Sequence, residues 1–429
     1  MSSAVKGSVS RHYVLAAGGT GGHLIPAFAL AAELDRRGHH VALITDERGA
    51  AIPGKPDYLP AHVLPQGRIA GKNPLNWLRG AKGILSGRAM ALRLFESFEP
   101  TAVVGFGGYP ALPTMLAANS AKIPTILHEQ NSVLGRVNRY FAGKVNAIAT
   151  AFEQVDMLDP RFSDKVTLVG NPVRDEVLAL RDAPFPEFGE DSLLRILVTG
   201  GSQGARVLSQ VVPDALAMLP PTLRSRLQVI QQCRAEDIEG VRARYVNHGI
   251  PAELATYFED MAERLAGAHL FIGRSGASTI AELTDVGRPA ILIPLPYATD
   301  DHQTANAREI VAAGGARVIR QPAITTEDAD TYSGERRNAL LKEQADLFQK
   351  MAKEVCLQIQ AIAQNPETLA NAAHAAWNCG YPNAASDLAD LVEGFGATPI
   401  MDVIRMEKAM PAKGGEALAK SKLVKESVQ

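Results

Sequence analysis

Short apolar runs that end in glycine turns alternate with longer amphipathic stretches along most of this chain. The first run, 13–17, leads into Gly18-Gly19-Thr20-Gly21-Gly22-His23 and then into the Ala- and Leu-rich segment 24–34. A buried strand, a tight turn and a helix account for that order. Runs at 40–45, 102–106, 124–127, 147–150 and 166–169 read as further buried parallel strands, with helices over 111–118 and within 70–98. The pattern restarts at 195–199, with strands expected at 227–230, 255–258, 269–272 and 289–294. Helices are expected there over 207–219, 261–266 and 304–313. From Thr325 the chain turns helical and polar; 340–362 and 368–377 read as surface helices, and 388–392 as the end of the compact fold. Two similar α/β halves, each built on a parallel sheet, follow from this repetition.

Length agrees, because 429 residues exceed one ordinary hydrophobic core. The stretch 182–192, with Pro184, Pro186, two phenylalanines and several acids, reads as a linker. It separates an N-terminal domain, 11–181, from a C-terminal domain, 193–393; the lysine-bearing tail 394–429 is expected to be a flexible extension.

Charge and cysteines narrow the function classes. A net charge of −2 argues against nucleic-acid binding. Cys233, Cys356 and Cys379 are odd in number and lack metal-type spacing, which fits a reducing cytoplasm. No run approaches the ~20 apolar residues of a spanning helix, and 1–10 lacks the apolar core of a secretion signal. One stretch still points to lipid. Leu75, Trp77, Leu78, Ile84 and Leu85 are interspersed with Lys72, Arg79, Lys82 and Arg88. Such a mixture is either an amphipathic helix packed on a sheet or a face for an anionic membrane.

The glycine turns carry the candidate chemistry. They let the backbone approach a ligand, and the helices they open offer free N–H groups to anions. Thr20 and His23 add a hydroxyl and an imidazole. A second turn of the same kind, Gly200-Gly201-Ser202-Gln203-Gly204-Ala205-Arg206, stands in the matching place of the second half. Asp46 ends the second strand, where a dinucleotide fold holds a ribose. Leu24 stands where that fingerprint needs a third glycine, so a nicotinamide cofactor does not fit.

Five further motifs occur in order: Gly107-Gly108-Tyr109-Pro110, His128-Glu129-Gln130-Asn131, Gly170-Asn171-Pro172-Val173-Arg174, Arg274-Ser275-Gly276-Ala277 through Glu282, and Asp300-Asp301-His302-Gln303. With the two glycine turns, this set resembles the MurG family of bacterial peptidoglycan glycosyltransferases, within family GT28. The likeness covers about residues 11–321, with a weaker tail to Val392. It implies a GT-B fold, α/β, with two Rossmann-like domains facing across a cleft. It implies transfer of GlcNAc from UDP-GlcNAc to the C4 hydroxyl of MurNAc in lipid I, an undecaprenyl-linked acceptor. The product would be lipid II, with a β-1,4 bond. The family works at the cytoplasmic face of the inner membrane as a peripheral protein, beside other cell-wall and division proteins.

The resemblance also assigns roles. Thr20, Gly21 and Gly22 would face the donor sugar and phosphates, and Gly18, Gly19, Gly108 and Tyr109 would form acceptor and diphosphate loops. Asn131 would contact the GlcNAc or its surroundings. Arg174 and Ser202 would serve the diphosphate, and Phe258 would line the uracil pocket. Ala277, Ser278, Thr279, Ile280, Ala281 and Glu282 would cradle the nucleotide, with Glu282 on ribose hydroxyls. Gln303 would reach the sugar. An inverting displacement needs a base for the acceptor hydroxyl; His23 is the candidate, with Glu129 as rival or orienting partner. No Asp-x-Asp pair or His/Cys cluster stands in a suitable loop, so no metal and no other cofactor is expected. A GT-B transferase with another acceptor, a UDP-GlcNAc epimerase and an inactive lipid-binding scaffold remain as alternatives.

Overall fold

The computed structural model describes residues 10–52, 54–64, 74–189, 191–201, 204–322, 332–363 and 365–395. Side chains of 74–79 lie outside that description, as do Lys72, Ser202 and the tail from residue 396 onward.

Two parallel sheets form among the described residues. The first holds β1 (His12–Ala16), β2 (His40–Thr45), β3 (Ala61–Val63), β4 (Ala102–Gly105), β5 (Thr125–Glu129), β6 (Ala147–Thr150) and β7 (Val166–Leu168). Its order is β3-β2-β1-β4-β5-β6-β7. The second holds β8 (Leu194–Thr199), β9 (Leu227–Gln232), β10 (Ala252–Ala255), β11 (Leu270–Gly273), β12 (Ala290–Leu292) and β13 (Ala316–Val318), in the order β10-β9-β8-β11-β12-β13. The two orders are the same through six strands, and both are the Rossmann order. Central strands are apolar because helices cover both faces: Val14, Leu15, Val103 and Val104 are fully buried, as are Val198 and Ile272. In each half the strand order reverses beside the first strand, between β1 and β4 and between β8 and β11. A crevice opens there beyond the carboxyl ends of the strands. All the glycine-turn motifs following β1, β4, β8 and β11 belong to those two points.

Two buried histidines pin loops to the sheets. His128 of β5 is 3.0 Å from the Gly170 carbonyl through Nε2, while Nδ1 accepts from the Gln130 amide at 2.9 Å. His269 accepts from the Arg195 N–H at 3.0 Å, and its Nε2 faces the Glu187 carbonyl at 3.2 Å. Burial pushes both imidazoles down to about 4, so they stay neutral. The second contact, with Phe185 and Phe188 packed on the core, fastens the linker to the second half.

Several elements differ from the sequence reading. The strand expected at 255–258 ends at Ala255, and Phe258 lies beyond it. β3 and β13 are only three residues long and largely half-exposed, too short for a periodic signal. The helix expected over 304–313 is two short helices, His302–Asn306 and Arg308–Ala312. The expected surface helix 340–362 is the C-terminal part of Gly334–Ala363, which buries Met351, Val355, Ile359 and Ile362 in the core of the second sheet. Its polar N-terminal part hides that stripe from an average taken over the whole segment. Helix Pro366–Asn378 likewise buries Leu369, Ala373 and Ala376. Most consequential, the last helix, Ala384–Gly394, leaves the second half. Leu388, Ala389 and Val392 join the core of the first sheet. Arg37 fastens it there with ion pairs to Asp390 and Glu393.

Ile359 is fully buried, whereas Leu357 is 63% exposed. Ile359→Ala should therefore cost about 2–5 kcal/mol in denaturant unfolding. Leu357→Ala should stay within about 0.5 kcal/mol of wild type.

Candidate active site

Three helices start at the cleft with their N-terminal N–H groups uncapped. Gly21–Arg36 follows Thr20, Gly108–Ala121 follows Gly107, and Ala277–Val286 follows Gly276. None has a side-chain cap or an acid in its first turn. Each end is therefore positive and open to an anion. The first two turns touch each other. Gly107 and Gly108 have φ of 87° and 75°, and a Cβ on Gly108 would stand 3.1 Å from the Gly18 carbonyl. Asp46 holds the first turn from behind, accepting from the N–H groups of Gly19 at 3.1 Å and Gly49 at 2.9 Å. That is a structural use of the strand-end acid, in place of a ribose contact.

His23 opens the first helix, packed against the Gly107–Gly108 turn, with Thr20 Oγ1 3.3 Å from its Nδ1. Burial lowers its pKa below the usual 6.5; His302, from the second half, lowers it further, while Gly18 and Asp46 oppose the shift. The imidazole is consequently neutral at neutral pH and able to accept a proton. Glu129 is different. Its carboxylate accepts from the N–H groups of Asn131 and Gly135, at 3.1 and 2.8 Å, and from the side-chain amides of Asn131 and Asn138, at 3.3 and 2.8 Å. Burial raises its pKa and these bonds oppose the rise. The carboxylate is thus the hub of the loop after β5, and its hydrogen bonds go to that loop.

A cavity of about 860 Å³ lies between the halves. Thr20, Gly22, His23, Gly108, Tyr109, Glu129 and Asn131 line it from the first half, and Gly276, Ala277, Asp300 and His302 from the second. Its volume suits a small-molecule site. Gly18 and Gly19 line an adjoining space of about 230 Å³ with Asp46 and Arg48. Gly21 lies between these turns, at the start of its helix. On the donor side, Ser278 Oγ is buried without a hydrogen-bond partner. Thr279 follows it in the same first turn, half-buried. Ile280 and Ala281 line a smaller space between the halves with Asn171, Ala277 and Asp285.

Other expected site residues are occupied with each other. Arg174 pairs with Glu282 at 3.1 Å. Glu282 stands on the second turn of its helix. Burial raises its pKa and Arg174 opposes the rise. Gln303 accepts from the Leu295 N–H at 2.9 Å. Phe258 is buried beneath the Arg264 guanidinium, 4.3 Å from the ring centroid. Ser202 lies outside the described residues.

Sequence reasoning missed several cleft residues. Arg139 reaches across to Asp300 at 2.5 Å. Asp300 and Asp301, named in sequence only as part of a motif, both hold left-handed backbone, with φ of 54° and 51°, and Asp300 lines the cavity. Asn138 and Asn306 are buried polar residues at the junction. The one sequence signal for Asn306 is an amide between two alanines in a helical run.

The N-terminal domain of glycosyltransferase family 28 matches residues 13–150, and its C-terminal domain matches 195–376. The chain is 69% identical to the UDP-N-acetylglucosamine–N-acetylmuramyl-(pentapeptide) pyrophosphoryl-undecaprenol N-acetylglucosamine transferase of Novosphingobium aromaticivorans, over 95% of this chain and 98% of that protein. The protein of the same name from Zymomonas mobilis is 55% identical over 90% of this chain and 93% of that protein. Among solved structures, Acinetobacter baumannii MurG aligns with a TM-score of 0.65 at 27% identity, covering 90% of this chain and 99% of that one. Matching domains in both halves, full-length relatives and the shared two-sheet cleft lead to one conclusion: the chain belongs to glycosyltransferase family 28, in the group of the MurG N-acetylglucosamine transferases.

Proposed function

We propose that this chain transfers GlcNAc from UDP-GlcNAc to the C4 hydroxyl of MurNAc in lipid I, with inversion, giving lipid II. The observation that carries the reading is the 860 Å³ cavity lined by both halves, with neutral His23 on one wall and the uncapped start of Ala277–Val286 on the other. The acceptor oxygen attacks the anomeric carbon as its proton passes to His23. The bond from that carbon to the β-phosphate oxygen breaks, and its electron pair leaves with UDP. Helix N-terminal N–H groups and Arg174, released from Glu282, meet the diphosphate charge. Glu282, freed in turn, accepts from the ribose. Glu129 shapes the loop that presents Asn131 to the donor sugar. The saturated bonding of its carboxylate favours His23 as the base.

A membrane-tethered acceptor explains the helix Pro74–Phe98. Gly83, Gly87 and Ala91 are buried, and a Cβ at Gly87 would come within 3.2 Å of Pro113, so the helix docks by its small residues. Its outer face then turns Leu85 outward, 65% exposed, with exposed Lys82 nearby. Ile84, between them in sequence, lines the rim of the cavity, where Leu112 and Leu116 continue an apolar wall. No described helix is long and apolar enough to cross a membrane. The protein rests on the cytoplasmic face of the inner membrane through this helix, and draws the lipid-linked sugar into the cleft along that wall.

Labelled UDP-GlcNAc with a lipid I analogue should give a β-1,4-linked disaccharide product. Conversion of UDP-GlcNAc without acceptor would instead mark an epimerase. His23→Ala should lower kcat about 10²–10⁴-fold. The acid limb of the wild-type kcat/KM profile should lie below pH 6.5, because the base works unprotonated and its pKa is lowered. Leu85→Glu should weaken co-sedimentation with anionic vesicles and leave transfer to a short-chain soluble acceptor unchanged.

A further inference from the structure

Asn306 is fully buried at the junction of the halves, outside the lining of the cavity, and its hydrogen bonds go to neutral groups. Its Oδ1 accepts from the Ser132 N–H of the first half at 2.8 Å. Its Nδ2 donates to Asn131 Oδ1 of the first half and to the Ser275 carbonyl of the second, both at 3.1 Å. An N–H on one side and a carbonyl on the other permit only one orientation of the amide. The bonding continues outward in both directions. Asn131 Nδ2 donates to Glu129 at 3.3 Å, and Ser275 Oγ donates to the Gln303 carbonyl at 2.8 Å. Asn131 is thereby held at both ends, by Glu129 at the end of β5 and by the opposite half. Ser275 immediately precedes Gly276, the residue from which helix Ala277–Val286 starts.

Two other links across the junction, nearer its edge, are of a different kind. Arg139–Asp300 and Arg308–Asp156 are partly exposed ion pairs, which tolerate sliding and contribute little direction. Buried neutral hydrogen bonds are directional, and they are costly to leave unmade.

We propose that Asn306 is a positioning residue for the transfer. It fixes the Asn131 amide on the first half and the Ser275–Gly276 turn on the second, and so sets the two walls of the cavity in register. The inference rests on the function proposed above and deepens it. Asn306 contacts no substrate; it acts through Asn131 and through the helix start.

Wild-type transfer to a lipid I analogue is measured first, and its absence would count against the function rather than against this role. Asn306→Ala should then lower kcat about tenfold to a hundredfold, as small misalignments of reacting groups do. The KM for UDP-GlcNAc should change less than about threefold. Asn131→Ala combined with Asn306→Ala should be no slower than Asn131→Ala alone, because both remove one shared alignment. An unchanged kcat, losses that multiply, or a donor KM that rises in step with the fall in kcat would each overturn the proposal. If Asn306→Ala does not fold, Asn306→Ser, which retains a hydroxyl, carries the same comparison.

Discussion

Open helix ends are the constraint on which this molecule depends. The starts of Gly21–Arg36, Gly108–Ala121 and Ala277–Val286 leave backbone N–H groups without a side-chain cap, and no acid in the first turn offsets their positive field. A helix surviving on stability alone would gain about 1 kcal/mol from a Ser, Asp or Asn cap. Here the cap positions hold Thr20, whose hydroxyl faces His23, and two glycines. In the proposed function the diphosphate of the donor takes the place of those caps. A Rossmann strand order in each half carries these ends to the crevice, and the facing of the two crevices makes one site of them.

Facing halves need fastening, and the fastenings differ by place. At the far end, the last helix crosses back and buries Leu388 and Val392 against the first sheet, an apolar clasp reinforced by Arg37. Near the chemistry, the contacts are polar: Asn306 in the buried centre, Arg139–Asp300 at the edge. Hydrophobic burial supplies adhesion without direction, while hydrogen bonds supply direction with little net adhesion. Transfer between two bound substrates needs both. Arg174–Glu282 adds a further ion pair between the halves.

Much of this was legible in the sequence where a local rule applies. Apolar runs marked β1, β2, β4 and β6, since a strand buried on both faces leaves a continuous signal. The turns at Gly18–Gly22 and Gly107–Gly108 marked the cleft by a local rule too, since Gly19, Gly107 and Gly108 hold a positive φ that favours glycine. What stayed hidden was tertiary. Nothing near Leu388 says which half its helix joins. The polar start of Gly334–Ala363 masks the stripe that Ile359 belongs to. His128 and Glu129 look like a polar loop, but they lie inside β5, where paired hydrogen bonds make burial tolerable. Asn306 could not be found from its neighbours in sequence, because its partners lie some 30 and 175 positions away.

The central claim is that one bound pair of substrates engages both halves at once. Hydrogen exchange followed amide by amide, with UDP-GlcNAc and an acceptor analogue bound, tests it most directly. The account predicts slowed exchange at Gly21 and Gly22 together with Ala277, Ser278 and Thr279. Slowing confined to one of these two groups, or found only away from the cleft, would contradict it.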